Sequence, residues 1–181
     1  MMRAVVVWLT LFAALPAHAL EARICYNYSC ASQAGVNFSA KQIRLIRQQF
    51  LRAKTPAAER DAIVRAIGGF ERFAGEQTPT WRDKGGNIND DGADGRMDCI
   101  DHSTNTTTYL RLLERAGLLR FHRVLEPVQR APLIVNVHRA ARILDRTTRQ
   151  EYAVDSWFYD NGQPAAIYPL PDWLRGASPD V

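Results

Sequence analysis

Residues 97–117 read Met97-Asp98-Cys99-Ile100-Asp101-His102-Ser103-Thr104-Asn105-Thr106-Thr107-Thr108-Tyr109-Leu110-Arg111-Leu112-Leu113-Glu114-Arg115-Ala116-Gly117. Asp98 is a favoured residue type for capping a helix start and Gly117 for closing its end, so a helix is expected from Asp98 to Ala116. Its first half is rich in weak helix formers, the run Ser103 to Thr108. Such a helix needs burial between other elements, where small side chains allow close packing. Cys99 then falls in the first turn, beside backbone N–H groups that no helix carbonyl takes up. A thiol placed there, or beside an imidazolium, is favoured in its charged, nucleophilic form.

Downstream the pattern becomes β-like, with strands expected at about 120–126, 133–144 and 150–159 and a short one at 165–168. Asp145-Arg146-Thr147-Thr148 is a polar, turn-forming stretch. A symmetric hairpin about it sets His138 directly opposite Asp155 on one face, where the carboxylate can orient the imidazole and leave its other nitrogen for a thiol. A slip of one residue would turn the two side chains to opposite faces. Of the other histidines beyond residue 19, His102 lies in the helix and His122 at the head of the first strand.

Upstream, Gly75 to Met97 is rich in Gly, Asn and Asp and reads as a long loop leading into Cys99. Asn87, Asn89, Asp91, Gly92 and Asp98 fall in an EF-hand-like register, but Asn at its first position and Asp at its last are weak ligands there, and a solvated acidic turn is expected. Ser39-Ala40-Lys41-Gln42 is a capping box that starts a helix over 40–53, and Thr55-Pro56 restarts the pattern for a second helix to about Phe73. Trp81 and Trp157 are large enough to line a groove, although packing is the default for tryptophan.

Residues 1–19, a charged start, an apolar run and Ala17-His18-Ala19, have the layout of a cleaved secretory signal, which leaves 20–181 as one domain in the periplasm or outside the cell. Disulfides persist there, and of three cysteines Cys25 and Cys30 are close enough to close a small loop, leaving Cys99 free. The formal charge of +4 is spread among acidic residues, with no basic stripe interleaved with aromatics. Nucleic acid is therefore not an expected partner, nor is a membrane once the signal is removed.

Met97-Asp98-Cys99-Ile100-Asp101-His102 resembles the Gly-Asp-Cys-x-Asp-Tyr/His signature of bacterial transglutaminase-like cysteine proteinases, within the papain-like superfamily. Cys99, His138 and Asp155 occur in that family's order with similar intervals, and the likeness covers about residues 78–160. It implies an α+β fold with a papain-like or transglutaminase-like core, in which a central helix carrying Cys99 packs on an antiparallel sheet carrying His138 and Asp155. It also implies a Cys-His-Asp triad acting on a protein or peptide substrate by acyl transfer to water. Met97 stands where the family usually has glycine, and Ser156 where asparagine commonly follows the aspartate. Ile100 replaces the second acidic neighbour of the cysteine found in calcium-dependent members, so no metal or other cofactor is expected. The Cys99 backbone N–H is the expected oxyanion donor, with a second donor unnamed. Two rivals are a cell-wall amidase of the NlpC type, whose Asp-Cys-Ser-Gly pattern differs from this one, and a non-catalytic periplasmic binding module. Substrate identity, hydrolysis versus transamidation and oligomeric state are open at the level of sequence.

Overall fold

The computed structural model describes residues 20–131 and 137–180. The expected signal segment and residues 133–136 of the expected second strand lie outside that range. The architecture is α+β. A hairpin, β1 (Leu20–Tyr26) and β2 (Ser32–Phe38), is followed by α1 (Ala40–Phe50), α2 (Pro56–Gly75), a 3-10 turn at Pro79–Arg82 and α3 (Cys99–Arg115). Then come β3 (His122–Arg130), β4 (His138–Asp145), β5 (Glu151–Asp155), β6 (Ala166–Pro169) and the short α4 (Leu170–Leu174). The last four strands form one antiparallel sheet in chain order.

The helix starts form as their caps dictate. Ser39 and Gln42 make a reciprocal capping box, Thr55 accepts from the Ala58 N–H, and Asp98 and Asp101 make a second box at α3. The main core joins Ile24 and Phe38 of the hairpin, Ile46 of α1, Ile67 and Phe70 of α2, Tyr109 and Leu113 of α3, and Ile143 and Val154 of the sheet. Because strand side chains alternate, Ala140 and Ala153 point to the opposite face, where they pack with the fully buried Trp173 of α4.

The β1–β2 hairpin was not expected from the sequence, in which Ser32–Phe38 mixes polar, small and apolar residues. Tertiary contact decides it. The Asn105 side chain of α3 accepts from the Cys25 N–H at 2.7 Å and donates to the Cys25 carbonyl at 2.8 Å, replacing the strand partner that an edge residue lacks. The segment expected as a structureless loop, 75–97, is instead pinned at many points. Asp83 is buried and accepts from the Met97 N–H at 2.7 Å, and the Gly86 N–H donates to the Trp157 carbonyl at 2.8 Å. A Cβ at Gly85 would overlap the Phe158 carbonyl, and Gly95, with φ +89°, runs against the Pro79 carbonyl.

β3 continues past its expected end at residue 126. Glu126 and Pro127 form a bulge between Leu125 and Val128, which absorbs the proline on this edge strand and lets pairing resume to Arg130. β5 ends at Asp155, short of the expected 159, because Ser156 turns toward α3, where its hydroxyl lies 2.8 Å from His102 Nδ1 and 3.1 Å from Thr106 Oγ1. Asn105→Ala is expected to lower stability by about 2–4 kcal/mol, since it leaves a buried N–H and a buried carbonyl unpaired. Urea denaturation of the oxidised protein measures this, and a loss under about 0.5 kcal/mol would show that the hairpin does not depend on this bond.

Candidate active site

Asp98 prepares the first turn of α3. Its Oδ1 accepts from the N–H groups of Ile100 at 3.0 Å and Asp101 at 2.9 Å, while the Asp101 carboxylate accepts from the Asp98 N–H at 3.3 Å. Among the described residues nothing takes up the Cys99 N–H. The turn Asn27–Cys30 lies against this helix start. Its residues all have left-handed backbone, φ between 52° and 66°, a conformation that costs about 1–2 kcal/mol for each side-chain-bearing residue. The Cys25–Cys30 disulfide closes the turn, and the carboxylates of α3 hold it: the Ser29 N–H donates to Asp98 Oδ2 at 3.0 Å and the Cys30 N–H to Asp101 Oδ1 at 2.7 Å. Burial pushes the Asp101 carboxyl up to about 6 against the lowering effect of the Cys30 N–H. Cys99 is the free thiol and is partly exposed.

His138 and Asp155 meet, but not by the expected register. Ala141 pairs with Val154 and Leu144 with Glu151, so the hairpin closes one residue further along, around 146–149. The turn itself sets this: Asp145 Oδ1 accepts from the Thr147 and Thr148 N–H groups, and Arg149 takes φ 62° so that the Asp145 N–H reaches the Gln150 carbonyl. Continued to the strand ends, that register puts Asp155 diagonal to His138 rather than opposite it. The offset is two residues, so both side chains stay on one face, and His138 Nε2 lies 2.7 Å from Asp155 Oδ2.

Three aromatic rings surround His138, with centroids at 4.9 Å for Trp157, 5.6 Å for Phe158 and 5.7 Å for Trp173. Trp173 was not singled out by sequence. Its Nε1 donates to Asp155 Oδ2 at 2.9 Å, so one carboxylate oxygen holds both the imidazole and the indole. The available signal was the rule that a buried indole N–H finds an acceptor. Burial acts to lower the His138 pKa, but it is outweighed by hydrogen bonding to Asp155 and Cys99 and by their negative charge, which together push it up to about 9. With Nε2 engaged by Asp155, Nδ1 is the ring atom that Asp155 leaves open.

Cys99, His138 and Trp157 line a cleft of about 550 Å³, together with Tyr28, Ile88, Asp98, Arg130 and Val137. Trp81 is exposed and does not line it. The other two described histidines are each held inside the protein by a buried carboxylate. His102 is buried with Nε2 3.0 Å from Asp83, and His122 is buried with Nδ1 2.9 Å from Glu59, whose carboxylate also accepts from the N–H groups of residues 120–122. Of the EF-hand-like set, Asn87 donates to Asp90, Asp91 is exposed and Asp98 caps α3. Asp90 accepts from the Tyr28 hydroxyl at 2.6 Å and pairs with Arg96 at 2.9 Å.

No family model, curated protein or solved structure matches this chain. Among the described residues, no helix is long and apolar enough to cross a membrane.

Because its folded pKa is raised, the stability that His138 protonation contributes is complete below about 6.5 and is lost as pH rises through about 9. His102, pushed up to about 10 by Asp83 and Glu71 against burial, follows the same sign at higher pH. The NMR titration of His138 should centre near 9 and fall in both Cys99→Ala and Asp155→Asn. A midpoint at the ordinary imidazole value in the wild-type protein would mean that neither group acts on the ring.

Proposed function

We propose that this protein is an exported cysteine hydrolase of the transglutaminase-like kind, a peptidase or amidase in which Cys99 is the nucleophile, His138 the proton carrier and Asp155 the group that orients it. The observation that carries the reading is the His138 ring, engaged at Nε2 by a buried carboxylate and lining the same cleft as the free thiol at the start of α3. The α+β order, with α3 placed just before a four-stranded antiparallel sheet, supports the papain-like kinship implied by the residues around Cys99. The disulfide supports an exported location.

The chemistry follows from the atoms. The proton rests on His138 Nδ1, in keeping with the raised pKa of the ring, and the Cys99 thiolate attacks the substrate carbonyl carbon. The Cys99 N–H, free at the head of α3, donates to the oxygen that becomes negative. Collapse of the tetrahedral adduct breaks the C–N bond, His138 delivers its proton to the departing amine, and a thioester remains. Water then gives a proton to His138 and attacks the thioester, and the Cys99 thiolate leaves with the acid as product. Throughout, Asp155 accepts from Nε2–H, which fixes the tautomer and offsets the imidazolium charge.

An electrophilic peptide library, followed by mapping of the adduct, tests the assignment. The adduct should fall on Cys99, and Cys99→Ala should abolish hydrolysis of the substrates so found while the protein stays folded, as its circular dichroism spectrum checks. Asp155→Asn should reduce kcat by about 100-fold or more, because an amide that accepts from His138 and Trp173 must turn its NH2 toward the Trp157 N–H and cannot balance the imidazolium. If no adduct forms, and Cys99 alkylates with one pH profile in wild type and His138→Ala, the protein is a binding module instead.

A further inference from the structure

Arg130 closes β3 and pairs directly with His138 of β4. Directly opposed residues project from the same face, so Arg130, His138 and Asp155 form a row across neighbouring strands at one end of the sheet. The guanidinium is held before any ligand arrives. Its Nη1 donates to the Trp173 carbonyl at 2.5 Å and the Ala177 carbonyl at 3.0 Å, and its Cζ lies over the Trp173 ring, 4.6 Å from the centroid. Both Nη1 hydrogens are thus used, while among the described residues nothing takes up those of Nε and Nη2. Arg130 also lines the cleft that holds Cys99.

Among the described residues the guanidinium forms no ion pair, and Asp155, which acts on it through space, is already engaged by His138 and Trp173. Asp98, the carboxylate that lines the cleft, is saturated by the N–H groups of Ser29, Ile100 and Asp101. The cleft therefore presents a fixed cation beside the imidazole, and the one carboxylate among its described lining residues, Asp98, is turned to the N–H groups of α3 and the Asn27–Cys30 turn. Tyr28, Ile88, Val137 and Trp157 supply apolar walls around it.

We propose that Arg130 is a specificity-determining residue that selects peptide or amide substrates bearing a carboxylate near the scissile bond, accepted by the Nε and Nη2 donors. This rests on the cysteine-hydrolase reading. The carboxylate can be an acidic side chain or a free C-terminal carboxylate, since both offer the same pair of acceptor oxygens.

The test uses electrophiles that mark Cys99 without turnover. Peptidyl chloromethyl ketones place a Glu or Gln on the acyl side. Chloroacetyl peptides place a Glu, a Gln, a free C-terminal acid or its amide on the leaving side. In each, the thiolate displaces chloride and forms a thioether, so the second-order rate constant reports recognition. In at least one series the acid should react about 10-fold or more faster than its amide partner, and the ratio should fall toward one in Arg130→Gln and in high salt. The arm that shows the preference identifies the source of the carboxylate. Equal rates for acids and amides throughout, or a preference that survives in Arg130→Gln and in high salt, would overturn the proposal while leaving the hydrolase reading standing. Failure of every peptide electrophile to label Cys99 would overturn both. The wild-type ratio and its salt dependence decide the matter even if Arg130→Gln does not fold.

Discussion

Burial of the polar first half of α3 is the constraint on which the rest of this structure depends. Asp101, His102, Ser103, Asn105 and Thr106 are all buried, and each brings groups that are costly to leave unpaired away from water. The chain is arranged around satisfying them. Asn105 takes the open backbone edge of β1, Asp101 takes the N–H groups of Cys30 and Asp98, and His102 lies between Asp83 and Ser156. Through these bonds one helix fixes the position of the hairpin, of the loop before it and of the strand end that carries Asp155.

The same constraint accounts for the form of the site. A helix whose start is held by other segments presents its first turn without a choice of orientation, and a thiol there is preorganised. The left-handed turn at Asn27–Cys30 is a conformation that non-glycine residues avoid, and it persists because a disulfide closes it and two carboxylates of α3 bind it. Tyr28 is thereby set as a wall of the cleft. Across the cleft, Asp155 Oδ2 serves the imidazole and the Trp173 indole together, so α4 and the sheet share one acceptor. The aromatic rings around His138 exclude water from that bond, which strengthens it.

Charge is distributed with equal economy. The buried His102 is flanked by Glu71 at 3.8 Å and Asp83 at 3.0 Å, and the buried His122 by Glu59 at 2.9 Å, so each of these imidazoles is matched inside the protein. His138 is matched too, by Asp155, but one edge of its ring faces an open cleft. That difference separates a histidine that holds the fold from one that can exchange a proton with a ligand.

The sequence by itself determined the local features: the caps at Ser39, Thr55 and Asp98, the stop at Gly117, the Cys25–Cys30 loop, and the pairing of His138 with Asp155 on one face. These are legible because capping, short-range closure and strand alternation act within a few residues. Even there the register was off by one turn residue, and the pair survived because side-chain direction has period two and the displacement was even. Only the tertiary structure decided the β1–β2 hairpin, the bulge at Glu126–Pro127 that brings Arg130 opposite His138, and the reach of Trp173 to Asp155. Each depends on a partner far along the chain, and nothing in a local pattern of polar and apolar residues states which distant donor a buried acceptor will find.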